Sequence, residues 1–412
     1  MEETSNVPKL RFGGYLREWK IKPLGAIAKI QRGASPRPIN SKKWYDMEEK
    51  NVGWVRIGDV TNSSKYLYET KDYFSNDGIK KSRFLPKGSL IMSICATIGK
   101  PVITGIDTCI HDGFVGFTNL NSVNKEFLYY LLNILEPKFS SLSQTGSQAN
   151  LNSDLVRITK VGVPTYEEQT KIVSFLTTVD KKINLLYKKQ DYLKDFKKFC
   201  LQNLFIGKLR FNYLNSGGFK NKNDFKTVKL ESLIKKGKAG GTPKSSIGRY
   251  YKGNIPFLSI SDMTMQGKYI TFTSKKITKE AINDSSAWII PKNSLLYSIY
   301  ASIGFVSINK IDLSTSQAIF GIILKDNVNI DYIYYYLTYF KRFVHKFIET
   351  GTQGNLNKNI LYNFIIKIPN SIEEQEKIAS FLSLIDKKID LTQKQIDLME
   401  KFKKGLLQQM FV

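Results

Sequence analysis

The chain repeats itself at half its own length. Thr145-Gly-Ser-Gln-Ala-Asn-Leu-Asn152 returns as Thr350-Gly-Thr-Gln-Gly-Asn-Leu-Asn357, with six of eight residues identical at an offset of 205. Glu167-Glu168-Gln169 returns as Glu373-Glu374-Gln375, Ser174-Phe175-Leu176 as Ser380-Phe381-Leu382, and Asp180 to Ile183 as Asp386 to Ile389, all at an offset of 206 in 412 residues. Self-similarity at a fixed long period means one structural unit used more than once. Upstream the match thins: Glu18-Trp19-Lys20 pairs with Asp224-Phe225-Lys226, and Gly33-Ala34-Ser35-Pro36-Arg37 with Gly240-Gly241-Thr242-Pro243-Lys244. Ile57-Gly58-Asp59 pairs with Ile260-Ser261-Asp262. Even Lys9-Leu10-Arg11-Phe12 reappears as Lys208-Leu209-Arg210-Phe211, so the piece that follows the first unit also precedes it. The repeat is cyclic.

Each unit closes on a strong helix start, Pro164 then Thr165 to Glu168 and Pro369 then Ser371 to Glu374, both read as capping boxes. Beyond them apolar residues follow a heptad seam: Ile172, Leu176, Val179, Ile183, Leu186 and Leu193 in one copy, Ile378, Leu382, Ile385, Ile389, Ile396 and Met399 in the other. A helix from Thr165 to Phe205 would run about 60 Å at about 1.5 Å per residue, too long for one small core to cover, so the twin helix is its expected partner. The bodies ahead of the helices alternate short β-favouring runs with polar loops, which predicts an α+β class. Five segments are expected: a body over 1–143, a turn and long helix over 144–205, a linker over 206–224, a second body over 225–349, and a second turn and helix over 350–412.

The 62 Lys and Arg against 36 Asp and Glu leave a net charge of +26, on a chain whose 42% hydrophobic content is that of a folded protein. The expected partner is a polyanion. With only ten arginines among those cations, most of the charge suits contact with phosphate rather than forked recognition of bases. The exceptions are Arg32, Arg37, Arg56, Arg83 and Arg249 in the bodies. The loops carrying Ser35 and Arg37, and Thr242 and Lys244 beyond Lys238, join permissive glycine to a hydroxyl and a cation, a composition suited to a phosphate or a helix-ending turn. Tyr250 and Trp44 beside basic residues could stack on nucleotides or pack at the edge of a core.

Little else carries chemistry. No Walker loop precedes any Gly-Lys pair, the three cysteines and two histidines form no metal-ligand spacing, and no hydroxyl or thiol stands beside a base. Asn254-Ile255-Pro256-Phe257 is similar to the Asn-Pro-Pro-Tyr/Phe loop of amino-methyltransferases, but its counterpart in the other unit is not, and a buried strand is expected. A polar N-terminus and short apolar runs point to an intracellular protein without membrane spans, and no cofactor is expected.

Taken together, the doubled order of body, Gly-x-Ser/Thr-Pro loop, Asn-Leu-Asn turn, Glu-Glu-Gln and Lys-rich heptad helix resembles the specificity subunit of type I restriction-modification systems. The resemblance implies two target-recognition domains, each reading one half of a split sequence in double-stranded DNA. It implies that the two helices pair antiparallel, set the gap between half-sites and dock methyltransferase subunits, two of them, with restriction subunits joining through the assembled complex. It also implies a non-catalytic, cytoplasmic subunit. His111-Asp112-Gly113 departs from the family pattern that Ser316-Gln317-Ala318 keeps. The competing reading, from composition alone, is a basic coiled-coil assembly protein for acidic proteins or RNA.

Overall fold

The computed structural model describes residues 6–46, 48–143, 151–210, 225–347 and 356–412. The chain forms two compact units, one made of residues 1–187 and 395–412, the other of 188–394. Each long helix, Tyr166–Phe205 and Ile372–Met410, therefore gives its first half to one unit and its second half to the other.

Both bodies are α+β and share one strand order. In the first unit a five-stranded sheet runs Lys29–Arg32, Phe114–Thr118, Leu90–Ser93, Pro101–Thr104, Tyr66–Leu67. Its counterpart in the second unit runs Ile234–Ala239, Ile319–Leu324, Leu295–Ser298, Val306–Asn309, Tyr269–Ile270. The central strands, such as Leu90–Ser93 and Leu295–Ser298, are mostly apolar and buried at every position, because both of their faces are covered. A smaller sheet accompanies each: Asp72–Phe74, Val52–Val55, Thr108–Ile110, Arg83–Leu85 in the first, and Lys275–Ile277, Ile255–Leu258, Ser314–Thr315 in the second. Residues 255–257 of the methyltransferase-like tetrapeptide thus lie in a strand. One helix closes each body, Lys125–Ser143 and Ile330–Phe340 with a 3-10 extension over Lys341–Phe347.

Within the first unit Ile172, Leu176, Val179 and Ile183 share a core with Trp19, Phe127 and, from the end of the other long helix, Leu406, Met410 and Phe411. In the second unit Ile378, Leu382 and Ile385 do the same with Tyr332, Tyr335, Leu204 and Phe205. Leu186 and Ile396 are also buried, whereas Leu193, Ile389 and Met399 are half-buried. The helix halves run antiparallel within each unit. Asp180 pairs with Lys403 in one, and Gln190 with Gln393 and Lys197 with Asp386 in the other.

Most of the Thr-Gly-x-Gln-x-Asn-Leu-Asn repeat lies outside the described residues, as does 211–224 of the linker. Its last two positions are described in both copies. Leu151 and Leu356 are buried and donate backbone N–H groups to Ile94 and Ile299, and Asn152 and Asn357 cap the short helices that follow.

The capping boxes form only halfway. Thr165 and Ser371 hydroxyls accept from the N–H groups of Glu168 and Glu374, each at 3.4 Å. The glutamate side chains, however, do not turn back to their caps. Glu168 takes a forked pair from Arg11 at 2.8 and 2.9 Å and a third bond from Trp19 Nε1, and Glu374 takes Arg210 at 2.9 to 3.2 Å. A guanidinium fork is a stronger partner for a carboxylate than one cap amide. The repeated Lys-Leu-Arg motif is thus a clamp on the start of each long helix. The neighbouring glutamines hold the body helices: Gln169 Oε1 accepts from Asn124 N–H, and Gln375 Oε1 from Asn329 N–H. No described helix is long and apolar enough to cross a membrane.

Arg11→Ala leaves the buried Glu168 carboxylate without its cation and should cost about 3 kcal/mol in urea unfolding, the low end for breaking a buried ion pair. Adding Glu168→Gln, which removes the stranded charge, should recover more than half. Arg210→Ala should cost less, because its pair with Glu374 is more exposed.

Candidate nucleic-acid interface

In the first unit, strand register brings the candidate side chains to one edge. Val55 pairs in parallel with Ile110, and Arg83 opposes Ile110 on the other side, so Arg56, His111-Asp112 and Arg83 all lie at the same end of the four-stranded sheet. The Gly33 to Arg37 loop joins them. Arg83 Nε donates to the Arg32 carbonyl at 3.4 Å, Arg32 Nε to the Asp112 carbonyl at 2.7 Å, and Ser35 Oγ to Asp112 Oδ1 at 2.9 Å. Arg32, Arg37 and Arg83 are exposed and Arg56 half-buried.

The second unit builds the same edge with uncharged groups in place of Arg56 and Asp112, and keeps Lys244 where the first unit has Arg37. Leu258 pairs in parallel with Thr315, which puts Ser259 and Ser316-Gln317 at one end of the smaller sheet, and the Thr242 hydroxyl bonds Gln317 Oε1. Lys238, Thr242 and Lys244 are exposed along the adjoining segment. His111-Asp112-Gly113 and Ser316-Gln317-Ala318 are therefore equivalent turns, each taking the hydroxyl of a Ser/Thr-Pro loop, despite their different composition. Ile94 N–H donates to Gly113 as Ile299 N–H does to Ala318.

Two expectations change, the role of the loop glycines and the setting of the aromatics. The loop glycines serve packing rather than approach to a phosphate: a Cβ on Gly33 would collide with the His111 carbonyl, and one on Gly240 with Thr315. Tyr250 is not a surface aromatic. Its ring is buried among Phe257, Ile277 and Ala281, and its hydroxyl donates to Asp284 at 2.7 Å, so it closes a core and cannot stack on a base. Arg249 is exposed and pairs with Glu280 at 3.0 Å, as Arg56 pairs with Asp72. Trp44 is buried as well.

The sequence marked Arg56 and the repeated Ile-x-Asp without showing what their side chains hold. Arg56 is held by Asp72, Nε to Oδ2 at 2.9 Å, and by Tyr45, Nη2 to the hydroxyl at 3.2 Å. The repeated Asp59 and Asp262 staple the turns after the central strands: Asp59 accepts from the N–H groups of Arg56 and Lys71, and Asp262 from those of Ser259 and Ser274. Their recurrence at Ile-x-Asp in both copies was the available signal. Among the described residues no group of His, Cys, Asp and Glu could hold a metal ion.

Burial holds the His111 imidazole below its ordinary value of 6.5; nearby Asp112 opposes this and Arg56 adds to it. The ring lies edge-on to Phe114, and its Nδ1 accepts from Gly113 N–H at 2.9 Å. Asp112 is also held low, below 3.8, although its partial burial alone would raise it, because the Ser35 hydroxyl and the backbone favour the carboxylate. A folded state that disfavours protonated His111 binds fewer protons than the unfolded chain, so acid removes stability. The first unit should lose stability as pH falls from about 7 toward 5, through the unfolded value of 6.5. Asp112 acts only in a lower window. Thermal unfolding of His111→Ser, which installs the second unit's residue, should fall less steeply over that range than wild type; parallel slopes would count against a neutral buried imidazole.

Known proteins share this architecture. A Methanocaldococcus jannaschii type I restriction enzyme specificity subunit, MjaIX, is 33% identical over 178 residues, 42% of this chain and 40% of that protein, so the match spans well under half of that relative. An Escherichia coli type I restriction enzyme specificity subunit is 24% identical over 387 residues, covering 84% of this chain and 92% of its own length. Among solved structures, the S subunit of a type I restriction-modification system from M. genitalium superposes with a TM-score of 0.57 at 14% identity, over 98% of this chain and 99% of that one. A chain from a study of complex assembly and conformational transition of the type I R-M system reaches 0.63 at 15%, over 95% and 97%. The model of the type I restriction modification DNA specificity domain matches twice, over residues 17–195 and 222–401, once on each copy of the repeat, and the chain belongs to that family.

Proposed function

We propose that the chain is the DNA-specificity subunit of a type I restriction-modification complex, in which the bodies over 1–143 and 225–349 each read one half of a bipartite duplex target. The observation that carries this reading is the pair of equivalent edges with unlike chemistry. The same strand ends and loops are kept by the same backbone bonds, yet one presents Arg32, Arg56, Arg83 and Asp112 and the other Ser259, Thr242 and Gln317. A scaffold repeated and an edge diversified is the arrangement expected of two readers with two different half-sites. The basic excess supplies the sequence-independent attraction to phosphates.

The segments over 144–205 and 350–412 supply the conserved turns and the helices that set the gap, joined by the linker over 206–224. Each unit also leaves the same three helix positions apolar and exposed: Leu185, Leu398 and Phe402 in the first, and Leu391, Tyr192 and Phe196 in the second. Equivalent exposed apolar positions in each unit suit two copies of one partner, the methyltransferase subunit, with restriction subunits entering through the assembled complex. The chain itself recognises and positions, without catalysis, in the cytoplasm where the DNA is. Its family membership disfavours an assembly protein for acidic proteins or RNA.

Exchanging residues 19–143 for the corresponding body of a different specificity subunit tests this. Methylation mapped in a complex with the methyltransferase subunits should show one half of the recognised sequence replaced and the other intact. A change in both halves, or in neither, would sink it.

A further inference from the structure

Among the arginines at this edge, Arg56 differs from Arg32 and Arg83 in that two side chains, rather than one backbone carbonyl, aim its guanidinium before any ligand arrives. Asp72 Oδ2 takes Nε at 2.9 Å and the Tyr45 hydroxyl takes Nη2 at 3.2 Å. Tyr45 in turn donates its own proton to the Ile39 carbonyl at 3.0 Å, which leaves its oxygen free to accept from Arg56. Both holders are themselves fixed: Asp72 opposes Trp54 across two strands, and Tyr45 bridges to Phe74 with its ring 5.5 Å from that phenyl. The guanidinium carbon lies 5.8 Å from the buried Trp54 ring. Of the five guanidinium N–H groups, these bonds use one on Nε and one on Nη2. Both on Nη1 and one on Nη2 remain, and the side chain keeps 40% of its surface in solvent at the edge where Asp112, Arg83 and Arg32 meet.

A planar fork with two adjacent N–H groups fits the O6 and N7 acceptors of guanine in the major groove, whereas a cation that only touches phosphate needs no such orientation. Holding the fork in advance lowers the side-chain entropy lost on contact. The second unit lacks the device. Its counterpart of Arg56 is Ser259, and Lys275 occupies the register of Asp72 opposite Phe257.

We propose that Arg56 reads a guanine in the half-site of the first unit, with Asp72 and Tyr45 as its positioning residues. This assignment rests on the DNA-reading role proposed above. The test uses the full chain with its methyltransferase subunits, a randomised duplex library, and sequencing of the bound fraction. Wild type should select a bipartite sequence with a guanine in one half. Arg56→Ala should lower the preference for that one base by about tenfold or more, within the roughly 5- to 150-fold of a forked Arg contact, and leave the other half unchanged. Arg56→Lys, which keeps the charge and loses the fork, should lose the same preference, and Asp72→Ala and Tyr45→Phe should weaken it at the same position by less. Should Arg56→Ala lower the unfolding midpoint, Arg56→Lys and Tyr45→Phe carry the test. An unchanged motif, a changed base other than guanine, or uniform weakening of all sequences rescued by Arg56→Lys would overturn the assignment while leaving the subunit a DNA reader. Selection of no sequence by wild type would overturn both.

Discussion

In each unit one aspartate on a long helix gathers the whole assembly around itself. Asp180 accepts from the Tyr130 hydroxyl at 2.5 Å and pairs with Lys403 at 2.7 Å; Tyr130 also receives Lys65, whose ammonium pairs with Glu126 at 2.7 Å and touches Thr177. Body, body helix and both long helices are thereby joined through a few charged groups. The second unit repeats the set residue for residue: Asp386, Tyr335, Lys197, Lys268, Asp331 and Ser383. Short charge-assisted bonds in a partly dry setting are strong, and a missing member strands a charge that its neighbours cannot solvate. The cluster therefore fixes the placement of each body on its helices as well as contributing to stability.

The division of labour follows. Residues that recur in both copies of the repeat hold things together: Arg11 and Arg210 clamp the helix starts, Gln169 and Gln375 tie in the body helices, and Asp59 and Asp262 staple the turns. Residues that differ at equivalent positions gather at the edge where Arg56 and Asp112 face solvent in one unit and Ser259 and Gln317 do so in the other. A protein that must present two readings on one frame benefits from this separation, because an edge can change without disturbing the cluster that positions it.

Much of this frame was legible in the sequence. The cyclic repeat, the long helices and the seam through Ile172, Leu176 and Ile378 are local or periodic signals, and periodic signals survive without a structure. What was not legible depends on pairs far apart in the chain. Nothing near Glu168 announces Arg11, 157 residues away, so a capping box was the natural reading. Tyr250 beside Arg249 left stacking and core packing both open, and the choice rests on Asp284, 34 residues away, which takes its hydroxyl. Asp112 and Gln317 sit at matching places in the repeat, but that both take a hydroxyl from the Ser/Thr-Pro loop depends on residues 77 and 75 positions away. Lys65 and Lys268 did recur, but isolated lysines in a chain this basic carry no signal until their partners are seen.

The central claim is that each unit is a cooperative whole made of one body and two helix halves, and Asp180→Asn tests it most directly when amide hydrogen exchange is followed peptide by peptide in the full chain. Exchange should quicken in 125–143, 166–187 and 395–412 together and stay unchanged in 330–340, 188–205 and 372–394. Equal quickening along the whole of both long helices, or a change confined to the residues touching Asp180, would contradict it.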